Sequence, residues 1–332
     1  MKAWVGHIDN ATTRDGAAAR YEWLELPTPT PRRGEVLIRT RAVGLNWVDR
    51  YPKTRHFGSL DEQAHAIPGL EAAGEIAALG EGVSGLAIGD RVMTMAQGAC
   101  AEYCCVPRSI LMPVPPVMSW TDAAAIPVSY LTAHDALVTN GRLAAGGRVL
   151  IHAVTSGVGL AGLQLARLHG AMFVAGSSGS TEKLAQLRGR GLDLAIENPG
   201  PGFADAVLAA TDRVGVDVVL DNVGGPILNE TLRATAIGGR VIDIGRLGGS
   251  RAEINLDLLA VRRIALIGVT FRSRSLVEHA QVVTAFLADH GADLASGAIA
   301  PCIDSAWSFD ALPQAIDRAR QRAQFGKLVL SL

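Results

Sequence analysis

From residue 148 onward, short apolar runs alternate with longer stretches of helical texture. The runs cover residues 148–154, 172–176, 194–196, 216–221, 240–245 and 264–270. They are apolar along most of their length, the pattern of strands covered on both faces. The stretches between them, such as 160–168 and 181–187, are rich in strong helix formers. Alternation of this kind predicts an α/β domain with a doubly wound parallel sheet.

The texture before that point differs. Residues 1 to about 120 hold shorter apolar runs, at 35–41, 75–79 and 90–95, divided by Gly, Pro and Asp turn signals, which predicts a β-rich domain. Prolines cluster at 27, 29 and 31 and again at 107, 113, 115 and 116, as in loops and linkers. Helical texture begins at 123–125 and continues through 130–143. After a further helix at 277–289 the chain closes on an apolar run, 327–332. That run has no place in a six-stranded sheet, so it is expected to return to the β-rich domain. The expected division is 1–122, 123–272 and 273–332.

Composition adds limits. The chain has 332 residues, 48% hydrophobic and 19% charged, with a net charge of -1. That fits a folded protein of more than one core and gives no basis for a nucleic-acid partner. The four cysteines, Cys100, Cys104, Cys105 and Cys302, follow no common zinc spacing and are expected to be reduced thiols. The first residues lack a leader's apolar stretch, and the most apolar segment, 123–138, is broken by Pro127, His134 and Asp135. A cytoplasmic location with no membrane partner is expected.

Gly157-Val158-Gly159-Leu160-Ala161-Gly162 follows the strand at 148–154 and opens the helical run 160–168. G-x-G-x-x-G in that context lets a backbone turn approach a pyrophosphate, with helix N–H groups facing it. Thr155 and Ser156 belong to the same turn. A second copy of the motif at Gly80, Gly82 and Gly85 leads into no helix and reads as a turn between strands. Sites for NAD place an acid about 20 residues beyond the first glycine to bond the ribose. Here Ser177 stands there, followed by Ser178 and then Lys183. These groups suit a 2′-phosphate, which favours NADPH; capping of a helix by Ser180 or Thr181 is the simpler alternative and is compatible with it.

The residues resemble the medium-chain dehydrogenase/reductase superfamily, and within it the zinc-free quinone oxidoreductases that include zeta-crystallin. The resemblance is carried by Gly44-Leu45-Asn46-Trp47-Val48-Asp49-Arg50-Tyr51, Ile67-Pro68-Gly69-Leu70-Glu71-Ala72-Ala73-Gly74, Gly89-Asp90-Arg91-Val92, Leu131-Thr132-Ala133-His134-Asp135-Ala136-Leu137, and the segments 217–225 and 238–245. It implies a Rossmann domain inserted into a GroES-like β-rich domain. It also implies hydride transfer from NADPH to a small-molecule quinone or α,β-unsaturated carbonyl. Asn46, Asp49 and Tyr51 would line the substrate side, with Tyr51 donating to the substrate oxygen or serving only as a half-buried aromatic. The cofactor would meet Ser129, Thr132, Asn222, Val223, Gly245, Arg246, Thr270, Phe271 and Lys327. Asn198 stands where relatives often stack a Tyr.

Zinc dehydrogenases of the superfamily carry Cys where Asn46 stands and His where Leu70 stands, so no metal is expected. Without Lewis-acid help, an electrophile that accepts hydride readily is the natural substrate. Two alternatives stay open: a pathway-specific enone or enoyl thioester reductase, and a structural protein that binds NADPH without turnover. Relatives also imply a homodimer through 264–270, an apolar run without Pro that should form the sheet edge.

Overall fold

The computed structural model describes residues 1–8, 19–50 and 66–332. The strands, in chain order, are β1 (Lys2–Ile8), β2 (Ala19–Glu25), β3 (Glu35–Leu45), β4 (Glu71–Leu79), β5 (Arg91–Met95), β6 (Tyr103–Pro107), β7 (Leu111–Pro113), β8 (Arg148–Ile151), β9 (Phe173–Ser178), β10 (Leu194–Glu197), β11 (Val216–Asp221), β12 (Thr235–Asp243), β13 (Ala265–Gly268), β14 (Ile303–Ser308) and β15 (Lys327–Ser331). The α-helices are α1 (Trp120–Ala124), α2 (Pro127–His134), α3 (Gly157–Leu168), α4 (Thr181–Ala185), α5 (Phe203–Ala210), α6 (Leu228–Ala234), α7 (Leu256–Val261), α8 (Leu276–Ser296) and α9 (Leu312–Arg320).

The chain divides into two compact units, Met1–Val128 with Phe271–Leu332, and Ser129–Thr270. In the first, described strands run in the order β14-β15-β3-β4-β5-β7, with β6 also on β3 and β1 paired with β2. The terminal strand β15 does return to this unit, antiparallel to β3 with Leu330 opposite Val43. Its core gathers Ile38, Ile76, Val92, Leu312 and Leu328. The segment with the second glycine motif is the turn from β4 to β5, as its lack of a following helix predicts.

In the second unit the order is β10-β9-β8-β11-β12-β13, all parallel. This is the doubly wound order with its crossover next to the first strand, β8. Buried Leu150, Ala175, Val219 and Val241 form the layer under the helices. β13 is an edge strand, as its run of residues predicts. Some limits differ from those expected. β8 stops at Ile151, because His152 to Thr155 already turn toward the glycine motif. β12 starts at Thr235 through a Gly238-Gly239 step that reads as a turn in sequence. The helix expected over 130–143 begins at Pro127, which has no N–H to leave unsatisfied. It passes into a π-helical stretch at Asp135–Asn140. Among the described residues no helix is long and apolar enough to cross a membrane.

Candidate functional site

In the first unit, four polar side chains meet in an apolar setting. Asn46 follows the end of β3, Glu71 opens β4, Lys327 opens β15, and Asp49 lies in the 3-10 turn Trp47–Arg50. Glu71 is fully buried, and Asp49 and Lys327 are 4% and 5% exposed. Burial at this level requires pairing. The Lys327 ammonium bonds the Glu71 carboxylate, and it donates to Asn46 Oδ1 at 2.9 Å. Asn46 Nδ2 donates to Glu71 Oε1 at 2.9 Å and to the Gly44 carbonyl at 3.3 Å. The other Glu71 oxygen accepts from the Val128 amide at 2.7 Å, at the start of α2. Gly44 is required here: a Cβ on it would lie 2.5 Å from Glu71 Oε1 and 2.3 Å from the Ala124 carbonyl.

Asp49 ties two chain segments together. Its carboxylate accepts from the Asn46 amide at 2.7 Å and from the Gly69 amide at 3.0 Å. Burial nonetheless pushes its pKa up to about 6, against the lowering effect of those two amides and of Lys327. Tyr51, the third substrate-side residue expected from the sequence, lies outside the described residues.

The second unit carries the glycine turn. Ser156 caps α3 by accepting from the Gly159 amide at 3.1 Å, and Gly157 and Val158 stand half-buried at the mouth. A Cβ on Gly159 would lie 2.4 Å from the Ala153 carbonyl, so this position admits only glycine. Ser129 is buried, and its hydroxyl has no partner among the described residues. An orphaned donor of that kind, in the same unit as a helix N-terminus opened by a glycine turn, fits a polar ligand such as a dinucleotide. Thr132 is half-buried on α2.

At the end of β9 the two serines differ from the expectation. Ser177 is fully buried with its hydroxyl 2.8 Å from His152 Nδ1, so it is not presented to a ribose phosphate. His152 is fixed from its other side by Thr231 at 3.0 Å, and burial holds its pKa below the usual value, keeping the ring neutral. Ser178 bonds Thr155 at 3.1 Å and accepts from the Ser180 amide. Lys183 is half-buried in α4, whose N-cap is Ser180, as the helix-cap alternative has it.

Beyond β11 and β12 the backbone is folded closely. Asp221 Oδ1 accepts from Val223 and Gly224, Asn222 Nδ2 donates to the His152 carbonyl, and a Cβ on Gly245 would lie 2.5 Å from the Asn222 carbonyl. Arg246 pairs with Asp243 at 2.8 Å. Asn198 is exposed with a left-handed φ of 43°, and its amide donates to the Ser178 carbonyl. Thr270 is exposed, and the Phe271 carbonyl is bonded to His279 at 3.0 Å.

Two family models match the chain. The family described as "Alcohol dehydrogenase GroES-like domain" matches residues 32–116, and that described as "Zinc-binding dehydrogenase" matches 157–288. A quinone oxidoreductase of Rattus norvegicus is 30% identical over 311 residues, 93% of this chain and 92% of its own. The chain belongs to the medium-chain dehydrogenase/reductase superfamily, among its quinone-oxidoreductase-like members. A phenolphthiocerol/phthiocerol polyketide synthase subunit of Mycobacterium tuberculosis is 34% identical over 247 residues, and this chain spans only 11% of its length. A mycobacterial structure complexed with NADPH superposes with a TM-score of 0.82 at 27% identity, over 94% of this chain and 96% of that one. A structure described as an NAD-dependent alcohol dehydrogenase gives 0.84 at 26%, covering all of both chains.

The metal named in one family description finds no fitting donors among the described residues. Leu70 has no donor atom, and Asn46 and Glu71 already hold an internal cation, the Lys327 ammonium. Among the described residues no group of three or more His, Cys, Asp or Glu is placed to hold a metal. Glu71, quoted above only as part of a motif, is the site residue to which the sequence assigned no role. Its signal was partial: Lys327 is the one charge of β15, whereas β4 carries Glu75 as well as Glu71, so the sequence did not single out the partner.

Proposed function

We propose that the protein is an NADPH-dependent, zinc-independent reductase of quinones or α,β-unsaturated carbonyls. The observation that carries this reading is the Lys327 ammonium bonded to Asn46, which stands where the zinc enzymes carry Cys, and to Glu71, the neighbour of the Leu70 that stands where they carry His. The bound reduced nicotinamide supplies hydride. The chain's own residues hold the dinucleotide by the turn from Thr155 to Gly159 and by Ser129, and they offer positive charge to an oxygen that gains electrons. Quinones and enones need no more activation than that, because the added charge delocalises onto oxygen. Buried and unpaired Cys100 and Cys104 suit a reducing, cytoplasmic setting.

The preference for NADPH rests on Lys183 and on the absence of a carboxylate at Ser177. With Ser177 turned inward, Lys183 is left as the charged group for a 2′-phosphate. NADPH is expected to bind more tightly than NADH, and Lys183→Ala to lose about 1.5–3 kcal/mol of that preference, roughly 10–100-fold in dissociation constant. Fluorescence titration of both cofactors checks it. Equal affinities in the wild type would refute the NADPH assignment.

Assembly as a two-fold dimer through β13 is part of the same reading. β13 is an edge strand, and Leu266 on it is 37% exposed. An apolar edge of this kind is covered in stable proteins, and a second copy covers it isologously. Light scattering at low micromolar concentration is expected to give a dimer mass. Ile267→Pro, which removes a backbone donor from the edge, is expected to lower it; a monomeric wild type would contradict the assignment.

A further inference from the structure

We propose that Lys327 is the charged hydrogen-bond donor to the substrate oxygen, and that Glu71 is the positioning residue that holds it; this rests on the reductase reading above. An ammonium has three N–H bonds. One goes to Asn46 Oδ1 and one to Glu71, and no third partner exists among the described residues. A group 5% exposed cannot give the remaining N–H to bulk water cheaply.

The neighbours are already committed. Both N–H bonds of the Asn46 amide are used, on Glu71 and on the Gly44 carbonyl. Glu71 accepts from three groups, and ionised Asp49 has no proton to donate. Lys327 is thus the member of the cluster with a donor to spare. Asn46, expected from the resemblance to line the substrate side, also holds the lysine.

In the reduction, a hydride carries two electrons and one hydrogen to a carbon of the quinone or enone, and the nicotinamide is left oxidised. Negative charge then develops on the conjugated oxygen, and a solvent proton completes the product. An ammonium withheld from bulk water stabilises that oxygen better than it would in water. The opposing carboxylate of Glu71 keeps the lysine charged and its position fixed. Gly44 makes room for that carboxylate, since any side chain there would collide with it.

The test uses p-nitrophenol as an analogue of the anionic product, bound to the wild-type protein in the presence of NADP⁺. Its absorbance reports ionisation. If Lys327 meets the oxygen, bound phenol ionises at lower pH than free phenol. Lys327→Arg keeps the shift; Lys327→Met abolishes it while p-nitrophenol still binds. In single-turnover oxidation of bound NADPH by a quinone, Lys327→Met slows transfer roughly 100–1,000-fold with the NADPH dissociation constant unchanged. Should Lys327→Met fail to fold, Glu71→Gln/Lys327→Met takes its place with the same expectations. A wild-type phenol shift of zero, or a Lys327→Met variant that transfers hydride normally or loses only NADPH affinity, overturns the proposal. Failure of the wild type to reduce any quinone or enone would instead overturn the reductase reading, with the phenol shift still reporting on Lys327.

Discussion

Lys327→Met is expected to destabilise the protein by about 3–5 kcal/mol, because it strands the Glu71 carboxylate in a fully buried position. Two donors remain to Glu71, Asn46 Nδ2 and the Val128 amide, and neither carries charge. The loss should not equal the worth of the ion pair. Desolvation of both groups opposes their attraction, so removing both charges costs less than removing one. Glu71→Gln/Lys327→Met is therefore expected to recover at least half of the stability lost in Lys327→Met. Urea unfolding of the wild type, the two single variants and the double variant gives the coupling directly. Additive losses would show that the two side chains do not depend on each other, against the geometry described above.

The second large effect concerns pH. Asp49 is expected to make the folded protein less stable as pH rises, the reverse of an ordinary salt-bridged carboxylate. Burial raises its folded-state pKa to about 6, above the unfolded value of 3.8. The folded state therefore holds the proton more tightly, and the contribution is fully present below the unfolded pKa. It is lost as pH rises from about 4 through about 6, and amounts to about 3 kcal/mol. Asp49→Asn cannot titrate, so its stability carries no such pH dependence. The test is the difference between the two proteins. Wild-type stability relative to the variant should fall between pH 4 and pH 6.5 in unfolding experiments; a relative stability that stays level or rises would contradict the assignment of a raised pKa.

Much of the fold was legible because local patterns and tertiary structure agree. β11 has the bounds its apolar run predicts, since the run is flanked by Gly215 and the Asn222 turn. The glycine turn was legible for the same reason: strand, glycines and helix are contiguous in the chain. Elements set by distant partners were not. β4 begins at Glu71, four residues before the apolar run at 75–79, because Glu71 to Gly74 pair with Met95 to Val92 on β5. Small residues such as Ala72 and Ala73 give no strand signal of their own. Ser177 looked like a surface donor because its partner His152 lies 25 residues away. The pairing of Glu71 with Lys327 spans 256 residues, and no spacing rule reaches that far. What the sequence could show was only that each charge stood in an apolar setting.

The reaction proposed for this protein passes hydride from NADPH to a quinone or enone with no metal taking part. It is tested most directly by NADPH oxidation with a simple para-quinone, using protein dialysed exhaustively against a strong chelator and analysed for metal content. Turnover undiminished in metal-free protein, and unaffected by added zinc, is the result this account predicts; turnover that is lost with the metal and restored by zinc would contradict it.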